Sequence, residues 1–363
     1  CSESMSRATG QPAICWTNKG SLGISFFFTE ELMNTSVDSH LSCGAKKHKG
    51  GNVMRRKFMS MALTAAMVLS MAATPVFAED TASDEGFNLN LCIASEPQTI
   101  DPALNSAVDG AIMCNHMFEG LAKWVNDGEG NAVTAPGQAE SWEKAENEDG
   151  TVTYTVKLRD GIKWSDGQAV TAGDFVYAWQ RLANPETAAD YCYMIDMVKG
   201  YDAVADGSAD PSTLGITAVD DQTLQIDLTY DCPYFEEIMA FPATFPVRQD
   251  MVESSDNWTF DPSTYIGNGP YKMTEWSHNA YISMEKNENY YDYENLGPDT
   301  IKFTLLDDNN AMLKGYNNGE LDFIENLPVD EIPTYLASGE LEIGDYLGTY
   351  YVCFNTEDEV FSD

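Results

Sequence analysis

Hydrophobic and polar positions alternate over Phe87 to Ile93, where Phe87, Leu89, Leu91 and Ile93 are separated by Asn88, Asn90 and Cys92. The same period of two recurs at Val152, Tyr154, Val156 and Leu158, and again at Leu224, Ile226 and Leu228. Such alternation predicts half-buried strands, and Asp149-Gly150 and Asp220-Asp221 supply turns before the second and third of them. Between strands the period lengthens. Met113, Met117 and Leu121 predict a helix over Ile112 to Leu121, its methionines packed as core. A helical stretch is expected around Met194 to Tyr201, and Pro233, Pro242 and Pro246 predict an extended, kinked return.

The segment Gly161 to Leu182, GIKWSDGQAVTAGDFVYAWQRL, organises the middle of the chain. Asp166-Gly167 predicts a tight turn, because glycine accepts a positive φ at little cost. Thr171 and Asp174 then have the spacing of a reciprocal helix cap. Phe175, Trp179 and Leu182 fall on one face, turning Tyr177 and Gln180 elsewhere. Beyond Asp250 a second α/β body is expected. It has a turn at Gly267 to Pro270, strands at Tyr271 to Trp276, Ala280 to Lys286 and Ile301 to Leu305, and a helix carrying Met312 and Tyr316 that stops at Gly319. A strand at Leu321 to Ile324, a short helix from Val329 and an extended stretch over Tyr346 to Phe354 complete it.

Charge divides the chain unevenly. Residues 1–78 carry 8 of the 20 Lys and Arg but only 4 of the 58 Asp and Glu, so the remainder is strongly acidic and unsuited to nucleic acid. The break falls at a secretory signal, residues 54–78, with Arg55, Arg56 and Lys57 ahead of a short apolar run and Val76-Phe77-Ala78 as cleavage site. The run is short of the roughly 20 residues that span a bilayer. Residues 1–53 precede the signal, lack sustained periodicity and are read as upstream sequence outside the mature protein.

Chemistry is sparse. No nucleophile elbow, zinc-protease helix or phosphate loop occurs, and only His116 and His278 lie beyond the signal. Cys92, Cys114, Cys192, Cys232 and Cys353 follow it without a C-x-x-C pair, which favours isolated thiols over a metal site and leaves one disulfide open. No metal, cofactor or catalytic group is expected.

EPQTIDP (Glu96 to Pro102), FEGL (Phe118 to Leu121), the 161–182 segment, GNGPYKMTEW (Gly267 to Trp276) and GELDF (Gly319 to Phe323) together resemble the extracytoplasmic solute-binding proteins of peptide ABC importers, the oligopeptide-binding or family 5 group. They occur in family order from about Phe87 to the last residue. The resemblance implies an α/β, periplasmic-binding-protein-like two-lobed fold of type II with an inserted α+β subdomain. Residues 79–118 and 249–347 would form lobe I, 119–248 the insert and 348–363 the start of lobe II, whose greater part the chain lacks. It further implies a non-enzymatic monomer, exported to the periplasm or the outer face of the cytoplasmic membrane, that binds oligopeptides and delivers them to permease subunits. Ser106, Ala107 and Val108 would offer backbone to the ligand, Tyr191 an aromatic contact from the insert, Asn326 a hydrogen bond on the cleft floor, and Tyr350 and Tyr351 the border of lobe II. The family pattern has an acid where Ser106 stands and, in some members, a disulfide cysteine where Gly348 stands, so one polar contact changes and that cross-lobe disulfide is expected to be absent. Alternatives within the family are a dipeptide, nickel, haem or a sugar as ligand. Outside it, the rival is an exported acidic hydrolase or glycan-binding protein using Trp124, Trp142, Trp164, Trp179 and Tyr191 as platforms. N-terminal sequencing of exported protein is expected to begin at Glu79; a start within residues 1–53 would overturn the signal assignment.

Overall fold

The computed structural model describes residues 87–128 and 131–343, with residues 352, 354, 355 and 360 beyond them. The alternating run forms strand β1 (Asn88–Ala94). Leu89 and Leu91 enter the main core while Cys92 is buried in a smaller cluster with Met312, Leu313 and Ile324, so the strand is covered on both faces. A strand buried on both faces suits a parallel sheet covered on each side. Helix α1 spans Val108–Met117, starting and stopping four residues before the periodicity predicted. It ends because Phe118 is extended and Glu119 is tied to Asn268, whose Oδ1 accepts from the Glu119 backbone N–H at 3.1 Å and whose Nδ2 donates to the Glu119 carbonyl at 2.9 Å. Tertiary hydrogen bonds there outcompete another helical turn.

Strands β2 (Ala122–Asn126) and β3 (Ala132–Pro136) form a hairpin that the sequence pattern did not predict, since only Ala122 and Ala132 of it are deeply buried. Strands β4 (Ala139–Glu146) and β5 (Val152–Leu158) follow, then the turn at Gly167, with φ +86°. Helix α2 (Ala172–Ala183) begins as expected: the Asp174 carboxylate accepts from the backbone N–H and the hydroxyl of Thr171 at 2.7 and 3.0 Å. Phe175, Trp179 and Leu182 are fully buried, and the Trp179 indole N–H donates to the Thr244 carbonyl at 2.9 Å.

The expected helix at 194–201 is instead a 3-10 turn, Cys192–Ile195, and a short helix, Tyr201–Ala205. Gly200 separates them at φ +85°, where an added Cβ would lie 2.8 Å from the Thr213 carbonyl. Strands β6 (Ile216–Asp220) and β7 (Thr223–Leu228) complete an antiparallel sheet of order β4-β5-β7-β6. The proline-rich return is not simply extended. It contains single helical turns at Phe235–Ile238 and Pro242–Thr244, the second opening on proline, whose fixed φ suits a first helical position.

Strands β8 (Tyr271–Ser277), β9 (Tyr281–Lys286) and β10 (Thr300–Leu305), helix α3 (Asn309–Asn318), strand β11 (Phe323–Ile324) and helix α4 (Ile332–Ser338) finish the described chain. The five-stranded sheet runs β11-β1-β10-β9-β8, parallel over its first three strands and antiparallel thereafter. All its strands come from the stretches assigned to lobe I, and β4 to β7 come from the stretch assigned to the insert. One continuous apolar core nevertheless joins the two sheets. Gly267 and Gly269 let GNGP press against the end of α1: a Cβ at either would meet the Met117 backbone at 1.8 or 2.6 Å. Because Trp179 fills the centre of that core, Trp179→Ala is expected to cost about 3–5 kcal/mol in denaturant melts; a cost below about 1 kcal/mol would show the indole is not a core element.

Candidate functional site

Chain reversal after β1 builds the site. Asp101, 2% exposed, receives Arg181 in a two-pronged ion pair, Nη1 to Oδ1 at 2.8 Å and Nη2 to Oδ2 at 2.6 Å. Its Oδ1 also accepts from the Ala103 N–H at 3.0 Å, and its Oδ2 from the Trp258 indole at 3.3 Å. The Asp101 carbonyl accepts from the N–H groups of Leu104 and Asn105, so the turn leading to Ser106 is fixed at both side chain and backbone.

Ser106 and Ala107 emerge from that turn exposed just ahead of α1, and Val108, its first residue, is exposed as well. Ala107 is less available, because its carbonyl already accepts from the Ala111 N–H at 3.1 Å and the Asn105 amide at 2.9 Å. The Ser106 hydroxyl donates to Asp190 of the insert at 2.7 Å. Tyr191, the next residue, is half-buried and stands edge-on to Phe241, with ring centroids 5.2 Å apart at 87°. Asn326 follows β11, whose pairing with β1 continues through the Glu325 N–H to the Cys92 carbonyl at 3.0 Å. Asn326 therefore lies just past the carboxyl end of β11, and Ser106 to Val108 lie on the segment that leaves the carboxyl end of β1, its parallel neighbour; such edges of open α/β sheets bind ligands. Tyr191 reaches the same edge through the Asp190 contact. Tyr350 and Tyr351, with Gly348, lie outside the described residues.

Three neighbours of these positions carried no signal in the sequence. Asp190 supplies a carboxylate to the Ser106 hydroxyl, returning an acidic group to a place where the sequence alone shows serine. Asp109 accepts from the Ser95 hydroxyl at 3.0 Å, and burial raises its carboxyl above the ordinary range. Glu325 is pushed up to about 7, first by burial and then by the Asp109 charge. Acidic residues are so numerous here that only their positions in space single these out.

The remaining titratable groups serve structure. His116 is buried, its Nδ1 2.7 Å from the Ile112 carbonyl and its ring edge-on to Phe303, and burial lowers it to about 4, so it is neutral near pH 7. His278 contacts Glu96 at 2.7 Å, beside the indole N–H of Trp276. Cys92, Cys114, Cys192 and Cys232 are free thiols, and no metal-binding cluster exists among the described residues. Trp164 and Trp179 are fully buried and the Trp142 indole is held by Glu236 at 3.0 Å, so these three share no exposed platform for sugar.

The raised Glu325 carboxyl has a definite stability consequence. Its folded form holds the proton more tightly than the unfolded chain does, so its contribution is complete at low pH and is lost as pH rises through about 7. Glu325→Gln is expected to melt at the same temperature as wild type near about pH 4 and above it near about pH 8. An unchanged difference across that range, in thermal melts followed by circular dichroism, would place Glu325 in solvent.

Comparison with known proteins identifies the family. Residues 134–363 match the family described as bacterial extracellular solute-binding proteins, family 5 Middle. The oligopeptide-binding protein OppA of Bacillus subtilis is 35% identical over 275 residues, covering 74% of this chain and 49% of the relative. The periplasmic murein peptide-binding protein MppA of Escherichia coli is 36% identical over 269 residues, covering 73% and 48%. Among solved structures, the E. coli murein tripeptide-binding protein MppA superposes with a TM-score of 0.64 at 34% identity, over 70% of this chain and 48% of that one. Haemophilus influenzae OppA in complex with RPPGFSPFR gives 0.67 at 29%, over 77% and 54%. The chain spans about half the length of the curated relatives it matches. The fold is the α/β, type II periplasmic-binding-protein class that the sequence implied. By that match and that fold, this chain belongs to the family 5 bacterial extracellular solute-binding proteins.

Proposed function

We propose that the chain provides lobe I, the insert and the first residues of lobe II of an exported binding protein that captures oligopeptides and hands them to the permease of an ABC importer. The observation that carries this reading is that exposed Ser106, Ala107 and Val108 follow β1 while Asn326 follows β11, the parallel neighbour of β1. An extended peptide laid there gains main-chain hydrogen bonds as an added strand, while side chains touch walls such as Tyr191. Relatives named for oligopeptide, dipeptide and murein peptide binding support peptide as the solute.

No chemistry is asked of the site. His116 is neutral and enclosed, and the ion pairs around Asp101 and Glu119 hold backbone in place. The signal over residues 54–78 lies outside the described residues and supports export to the periplasm or the outer face of the cytoplasmic membrane. No described helix is long and apolar enough to cross a membrane.

Affinity in such a site depends on enclosure. Net hydrogen bonds of about 1 kcal/mol each must exceed an association cost of roughly 4–15 kcal/mol, which calls for ligand covered from both sides. Calorimetry on protein from the complete reading frame, with mixed tri- to pentapeptides against oligosaccharides, is the test. Peptides are expected to bind, and Tyr191→Ala to weaken them about tenfold, or about 1.4 kcal/mol, without comparable loss of stability. Binding of oligosaccharides with no binding of peptides would overturn the assignment.

A further inference from the structure

Three exposed tyrosines continue outward from Tyr191 across the insert. Tyr193, Tyr230 and Tyr234 are 55%, 46% and 52% exposed, whereas Ile195, Cys232 and Phe235, close to them in sequence, are buried in the core. The Tyr193 ring lies 6.1 Å from that of Tyr191, tilted by 59°. Asp196 sits one 3-10 turn further on, its N–H bonded to the Tyr193 carbonyl at 3.1 Å. The Thr229 N–H donates to the Met197 carbonyl at 2.8 Å and draws the loop carrying Tyr230 and Tyr234 alongside.

Charge completes the arrangement. Asp231, adjacent to Tyr230, is occupied by Lys144 at 2.6 Å, whereas exposed Asp196 has no ion pair among the described residues. The antiparallel bridge between Val198 and Leu228 continues the pairing of Met197 with Thr229 toward Asp196 and Tyr230, and burial and then the Asp196 charge raise the Tyr230 hydroxyl above the ordinary phenol range. Aromatic faces beside an unpaired carboxylate suit a guanidinium or ammonium group, which the ring quadrupole and the anion attract together.

We propose that Tyr193, Tyr230 and Tyr234, with Asp196 among them, form an outer subsite that takes an arginine or lysine side chain from the ligand. The inference rests on the peptide reading above. Peptide is the occupant because the strip is continuous with Tyr191 and with Asp190, which reaches Ser106, and because its free charge is negative.

The test uses protein from the complete reading frame and calorimetry with pentapeptides that differ only by Arg or Ala at each position in turn, with trialanine as reference. Arg at one position is expected to raise affinity about tenfold over Ala, and the double variant Tyr193→Ala, Tyr234→Ala to abolish that gain while leaving trialanine unchanged. Asp196→Asn is expected to remove part of the gain with every ring in place, and Tyr193→Phe to keep it, which separates charge, ring and fold. Trialanine binding with no Arg preference, or a preference that survives the double variant, overturns the subsite alone. Failure of every peptide to bind overturns the peptide reading and the subsite with it.

Discussion

The ion pair between Asp101 and Arg181 is the constraint on which the candidate site depends. Three separate stretches of chain meet at this carboxylate: the loop after β1, helix α2 of the insert, and Trp258 on the return to the first sheet. A carboxylate this deeply buried is costly to desolvate, and the pair's main effect is geometric rather than a large net gain in stability. With two guanidinium bonds, one indole and one backbone N–H on its two oxygens, Asp101 has a single low-energy arrangement. The turn that presents Ser106 to Val108 inherits that rigidity.

A second joint works by the same means at the other end of α1. Glu119 exchanges backbone bonds with Asn268, while its carboxylate accepts from Gln138 at 2.7 Å and Tyr290 at 2.6 Å. FEGL and GNGP, distant in sequence, are thus two halves of one contact, and the glycines of GNGP are there because the Met117 backbone leaves no room for a Cβ. Both joints tie the insert to the five-stranded sheet's segments by hydrogen bonds. A binding protein needs that fixity more than it needs reactive groups, since a preformed wall loses less freedom when ligand arrives.

The positions proposed for the site follow from motif order. The loop at Ser106 to Val108, Tyr191 and Asn326 each sit next to a motif whose local structure is well determined: EPQTIDP, helix α2 and GELDF. The expected availability of Ala107 was only partly met, because its carbonyl serves α1 and Asn105. Asp190, Asp109 and Glu325 could not be picked from an acidic background, as their significance arises from Ser106, Ser95 and each other, far away along the chain.

Local chemistry alone determined the strands at 87–93 and 152–158, the turn at Gly167, the cap at Thr171 and Asp174 and the buried face of α2, because each depends on residues within one or two turns of each other. The end of α1 at Met117, the β2–β3 hairpin and the break at Gly200 were decided only by tertiary structure. In each of these the local preference is weak and a partner elsewhere settles the conformation: the Asn268 side-chain amide at Glu119, the pairing of β2 with β3, and the Thr213 carbonyl that leaves no room for a Cβ at Gly200.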